Sequence, residues 1–167
     1  MSSRRAALTT LTALAAACLA SCGFELRRPP ELRFKSVQLN GFAPRSPLFT
    51  ELKAGLSASQ TTTVVEAAAQ AQVVLDAIAD VREKSVVAST AAGQVREFQL
   101  RTRFKFRLRT PAGKELIAPT EILLSRDMSY SESLALAKEQ EEALLYRSMQ
   151  SDIVAQVMRR LASVPAL

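Results

Sequence analysis

Five cations stand at every second position near the middle of the chain: Arg101, Arg103, Lys105, Arg107 and Arg109. Alternate side chains of an extended strand share a face, so these five project from one side, about 6.6 Å apart per step of two. Such a row suits phosphate or carboxylate groups. Two readings compete. A hairpin centred near Thr90 and Ala91 sets Asp80 opposite Arg101 and Asp76 opposite Lys105. That gives a solvated face whose cross-strand ion pairs contribute about 0.2–1 kcal/mol each. On the other reading two acids cannot neutralise five cations, and the face docks an anion or an acidic partner. Nucleic acid is a poor fit for that anion, because Phe98, Phe104 and Phe106 occupy the opposite parity and leave no stacking platform among the cations.

Other chemistry is narrowly bounded. The 167 residues contain no His, which removes Ser-His-Asp and Cys-His triads, His zinc ligands and imidazole proton shuttles. Carboxylate pairs remain, either Glu115 with Glu121 or the cluster Glu139, Glu141 and Glu142. The first pair flanks a turn and the second lies among Lys138 and Gln140 on a polar helix face, so both read as solvated charge. No phosphate loop, Cys or His metal set, or nucleophile elbow is present. The expectation is a protein without catalytic residues, metal or cofactor.

The chain opens with Arg4 and Arg5, then an uncharged stretch over residues 6–20 broken only by Thr9, Thr10 and Thr12. It is too short for the ~20 residues of a spanning helix and has the form of a secretory signal peptide. It ends in Leu19-Ala20-Ser21-Cys22, which resembles the bacterial lipobox; Cys18 is a poorer candidate, with Ala15 where an aliphatic residue belongs. In that motif the Cys22 thiol takes a diacylglyceryl group. Gly23, where an Asp would signal inner-membrane retention, implies sorting to the outer membrane. Each buried acyl methylene contributes ~0.8 kcal/mol, so the mature chain is tethered to outer-membrane lipid without crossing it. Lipopolysaccharide, a phosphorylated glycolipid, is the large anion of that compartment. The organisation expected is a leader over residues 1–21, a Pro-stiffened linker over 22–32 and one domain over 33–167.

Elements must position the cations. Alternation predicts a first strand over 33–39, and Ser46-Pro47 predicts a capped helix over 47–58 with Leu48, Leu52 and Leu56 on one face. A β-branched run over 61–66 reads as the next strand, parallel to the first. Period-two patterns over 73–81 and 98–108 predict a long hairpin, with the odd positions of the first and the even positions of the second buried. A turn at Pro111-Ala112-Gly113-Lys114 leads into a strand over 115–127, where Pro119 marks an edge or a bulge. Ser129 and Glu132 read as a capping box opening a helix to residue 162, striped by Leu145, Met149, Ile153, Val157 and Leu161. A compact domain is shorter than that helix, so it must overhang or break near 138–142. These elements make an α+β two-layer sandwich: a mixed sheet of about four strands around a long central hairpin, with two helices on one face.

Several segments together resemble the LptE family of lipopolysaccharide-assembly lipoproteins. They are the lipobox with Cys22-Gly23-Phe24-Glu25-Leu26-Arg27, then Gly93-Gln94 with Glu97-Phe98-Gln99-Leu100. Leu134-Ala135-Leu136-Ala137-Lys138, and Met149 with Ile153-Val154 and Arg159-Arg160-Leu161, continue the likeness. The resemblance implies a non-enzymatic outer-membrane lipoprotein, periplasm-facing or inside a barrel lumen, that plugs and supports assembly of the LptD β-barrel and contacts lipopolysaccharide. It implies a four-stranded sheet with two helices. It places the family's lipopolysaccharide-contacting basic residue on Lys138, while a second falls on Ala91, leaving Arg96 or the strand cations as its substitutes. The alternatives are a periplasmic adaptor lipoprotein that binds a small lipid or peptide without a barrel and, more distantly, a carboxylate-based hydrolase.

Overall fold

In the computed structural model, which describes residues 30–59 and 61–166, the even positions of the cation-bearing strand turn inward. The leader, the lipobox with Cys22 and most of the linker lie outside the described residues. In β4 (Val95–Arg109) the side chains of Leu100, Phe104, Phe106 and Leu108 are wholly buried. No bulge falls in β4 between Glu97 and Arg109, so the strict alternation holds and all five cations share the opposite face.

The sheet is mixed and five-stranded, one strand more than expected. Besides β4 it contains β1 (Ser36–Asn40), β2 (Thr63–Val65), β3 (Val73–Ser89) and β5 (Glu115–Ser129), in the order β2-β1-β3-β4-β5. β1 is parallel to β2 and to β3, and the three long strands are antiparallel. Pro119 interrupts β5 as an edge strand, beside a register irregularity between Phe106 and Leu108. Leu32 and Phe34, preceding β1, are buried in the core. Leu32 thus belongs to the folded body and not to the linker.

Helix α1 (Pro47–Ala58) matches its pattern to the residue, with the Ser46 hydroxyl accepting from the Phe49 amide at 3.2 Å. Helix α2 (Ala135–Ala162) starts later than the capping signal suggested. The alternation that buries Met128 carries β5 through Ser129, and a 3-10 turn over Glu132–Leu134 intervenes. The Ser129 and Glu132 box does not form; the helix begins at Leu134 without a side-chain cap. α2 runs unbroken through 138–142. Its 28 residues measure about 42 Å, and the 17 residues of β3 reach about 56 Å, so the sheet is long enough to lie under the whole helix.

β3 departs most from its pattern. Val73, Leu75 and Ala77 face the helices, but a bulge at Ile78 inverts the parity. Beyond it Ala79 and Val81 join the cation face, while Asp80, Arg82 and Lys84 share a face with Phe104, Thr102 and Leu100. Gly41 explains how β1 can leave the sheet there. It sits at φ 80°, and a Cβ at this position would collide with the Ala77 carbonyl oxygen.

Burial divides the helix side in two. A large cluster at the base joins α1, β1 and the C-terminal half of α2 around Phe34, Leu52, Leu75, Phe104, Phe106 and Ile153. A small one toward the hairpin tip contains Leu100, Met128 and Met149. Between them lies Thr102, whose buried hydroxyl has no hydrogen-bond partner among the described residues.

Candidate functional site

The cation row lies on the sheet face that no helix among the described residues covers. At its base Asp76 gathers three partners. Arg107 Nε donates to it at 2.9 Å, Arg109 Nε at 2.7 Å and Asn40 Nδ2 at 2.9 Å. Burial would raise the Asp76 carboxyl, but the hydrogen bonds from Arg109, Asn40 and Arg107 outweigh it and hold its pKa at about 2. The same contact raises the Arg109 guanidinium. Two of the five cations are therefore tied to one carboxylate and brace β1, β3 and β4.

The remaining three form a run. Arg101 donates to Gln99 at 2.7 Å, and none of Arg101, Arg103 and Lys105 makes an ion pair among the described residues. The expected cross-strand partners are wrong. The turn spans Thr90 to Gln94, closer to Ala92 than to Thr90, and the Ile78 bulge adds a residue. Asp76 therefore falls opposite Arg107, and Asp80 falls on the helix side, where Ser46 Oγ donates to it at 2.9 Å. Glu83 stands opposite Arg101, Glu121 opposite Lys105 and Glu115 opposite Arg109. Acids thus border the run at both ends, and the count of two acids against five cations is corrected. Arg103 alone is flanked by apolar residues on both sides, Val81 and the 56% exposed Leu123. The result is an amphiphilic patch, with Arg103 central and Arg101 and Lys105 beside it.

Lys138 and Arg96 lie elsewhere, at the hairpin-tip end. Lys138 is on the helix side, its side chain 15% exposed, and it donates to Ser129 at 3.0 Å and to Glu141 at 2.8 Å. Arg96 is exposed beside a small hollow of about 180 Å³ lined also by Gln94, Ser131 and Glu132. Its carbonyl accepts from the Tyr130 amide at 2.8 Å. The candidate residues therefore separate into a face and a tip. Glu115 and Glu121 are six positions apart on one strand, roughly 17–20 Å, beyond the reach of a glycosidase pair. Glu141 and Glu142 are paired with Lys138 and Lys84.

One site has no counterpart in the sequence reading. A cleft of about 700 Å³ opens between β3 and α2, lined by Arg82, Lys84, Tyr146, Arg147 and Gln150 together with Pro47, Glu139 and Glu142. Arg82 donates to Gln150 at 2.6 Å and lies 5.4 Å from the Tyr146 ring centroid. Lys84 pairs with Glu142 at 2.6 Å. Burial, then the nearby Glu142 charge, raise the Tyr146 phenol. The consecutive charges Arg82-Glu83-Lys84 break the alternation of β3, and that was the available signal.

Residues 34–161 match the family model described as LptE, lipopolysaccharide-assembly. The chain belongs to this family. An uncharacterized lipoprotein B from Nitrosomonas europaea, solved by NMR, is 32% identical over 84% of this chain and 91% of that chain, with a TM-score of 0.73. The rare lipoprotein B from Shewanella oneidensis is 27% identical, covering 77% of this chain and 95% of the other at a TM-score of 0.65. A minor lipoprotein from Acinetobacter baumannii, 21% identical with a TM-score of 0.65 over 81% of this chain and 98% of its own, shares the fold. Sequence comparison with curated proteins gives no match. No helix among the described residues is long and apolar enough to cross a membrane. LptE membership thus spans the sheet, both helices and both groups of candidate cations.

Proposed function

We propose that this chain is an outer-membrane lipoprotein that plugs and supports assembly of the LptD β-barrel and meets lipopolysaccharide on its way to the outer leaflet. Family membership over residues 34–161 carries this reading. Cys22 holds the acyl anchor, and the base core makes a rigid wedge. The run Arg101, Arg103 and Lys105 offers its charges to lipid A phosphates, while Val81 and Leu123 lie against acyl methylenes. Arg107 is already bound to Asp76 and contributes less, and Lys138 contributes only on leaving Glu141. Arg96 marks a second contact at the tip. A carrier of small lipids would need an apolar cavity, whereas the base is filled by side chains of negligible exposure.

Affinity purification from detergent-solubilised outer membranes tests the reading. A β-barrel of several hundred residues is expected at one copy per copy of this chain. Recovery of the chain alone would refute the plug, and Cys22→Ser is expected to release the mature chain from the membrane.

A further inference from the structure

β3 is an interior strand at one end and an edge strand at the other. β1 pairs with it only over Val73, Val74, Leu75 and Asp76. The loop after β1 covers the next stretch, with Gly41 against the Ala77 carbonyl and Ser46 bonded to Asp80. From residue 81 no described strand lies on that side. Residues 81–86 keep a regular antiparallel register with β4, between bulges at Ile78 and Val87. Six residues is the length of an ordinary strand. Residues 82–87 are all exposed, with Val86 and Val87 at 51% and 50%. Natural edges are usually blunted. The opposite edge of the sheet carries Pro119. This stretch contains no proline and is guarded instead by the charges Arg82, Glu83 and Lys84, with the Glu83 carbonyl accepting from the Tyr146 hydroxyl at 2.7 Å.

The cleft between β3 and α2 runs beside this edge. A strand edge next to a helix is the arrangement in which an added strand gains main-chain hydrogen bonds while its alternate side chains enter the groove. Charge indicates what those side chains are. Three cations and two acids line the cleft. Lys84 has Glu142, while Arg82 bonds the neutral Gln150 and lies over Tyr146. None of Arg82, Glu139 and Arg147, the last exposed on α2, makes an ion pair among the described residues, which leaves a net positive charge. We propose that the outer edge of β3 over residues 81–86, with this cleft, receives an extended segment of a partner polypeptide carrying an acidic side chain opposite Arg82 and Arg147. A second copy fits less well. Antiparallel self-pairing about Arg82 sets that cation against itself, and self-pairing about Glu83 sets Arg82 against Lys84. The inference rests on the barrel reading only for the identity of the donor chain.

Amide hydrogen exchange tests it in two settings. In the first, the mature chain is titrated with a synthetic ten-residue peptide alternating valine with glutamate. Every second amide within 81–86 is expected to slow at least tenfold, a lysine-for-glutamate peptide to have no effect, and exposed Arg147→Glu to weaken the response at least tenfold. In the second, the complex isolated from outer membranes is expected to show the same protected amides. Edge amides that stay fast in both settings overturn the inference, as does slowing that follows protein concentration alone, the mark of a second copy. A barrel that co-purifies while the edge stays open leaves the plug standing and removes the groove. Peptide protection without a co-purifying barrel does the reverse.

Discussion

The base and the tip of this sheet are built on different terms. At the base, two helices and five strands close over Phe104, Phe106 and Leu52, and the open face is locked by Asp76 with two arginines. Toward the tip, two strands and one helix share a cluster of Leu100, Met128 and Met149, while Val86, Val87, Leu134, Leu136 and Leu144 remain exposed. Apolar surface is left uncovered in the less packed half, beside a stretch of β3 that no described strand pairs on its outer side, so the base carries the stability and the tip keeps surface open for contact.

Substitutions can break that division. The largest effect is expected from Phe104→Ala, about 3–5 kcal/mol by denaturant titration, with every slow amide exchanging faster because the whole fold depends on it. Leu100→Ala, equally buried but in the small cluster, should cost nearer about 2 kcal/mol and speed exchange mainly around Met128 and Met149. Equal global effects would erase the distinction. Gly41→Ala should also cost about 2–3 kcal/mol, since the new methyl meets backbone and the residue holds φ 80°.

Asp76 sharpens the comparison through pH. Its carboxyl is depressed from 3.8 to about 2, so its stabilisation is complete above pH 3.8 and is lost as pH falls through about 2. That shift corresponds to about 2 kcal/mol. Asp76→Asn should lose this amount at neutral pH and show a flatter acid limb between pH 4 and 2; an unchanged limb would remove the clamp. The smallest effect is a gain. Thr102→Val removes a buried hydroxyl that has no partner among the described residues and should stabilise by about 0.5–1 kcal/mol while joining the two clusters.

What the sequence made legible follows the same boundary. Helix α1, the turn from Thr110 to Lys114 and the two faces of β4 were readable because local signals decide them: a cap, the turn residues Pro111-Ala112-Gly113-Lys114 and uninterrupted alternation. The inversion in β3 was not, because the approach of Gly41 to Ala77 lies in tertiary packing and leaves no mark near Ile78. The same inversion hid the cleft, whose walls, Arg82 and Arg147, are 65 positions apart. Ser129 and Glu132 satisfied a capping pattern but lost to the pairing of β5 with β4. The shared face of the cation row was legible in the alternation of β4. Its neighbours were not, since register depends on three irregularities in the ladder and the position of the turn.

The affinity of the mature chain for purified lipopolysaccharide tests the central assignment most directly. The comparison is with the Arg101→Gln, Arg103→Gln, Lys105→Gln variant at matched melting temperature, in low and physiological salt. At least tenfold weaker binding by the variant, with a reduced salt dependence, is the predicted result. Equal affinity at both salt concentrations would contradict the role given to the open face.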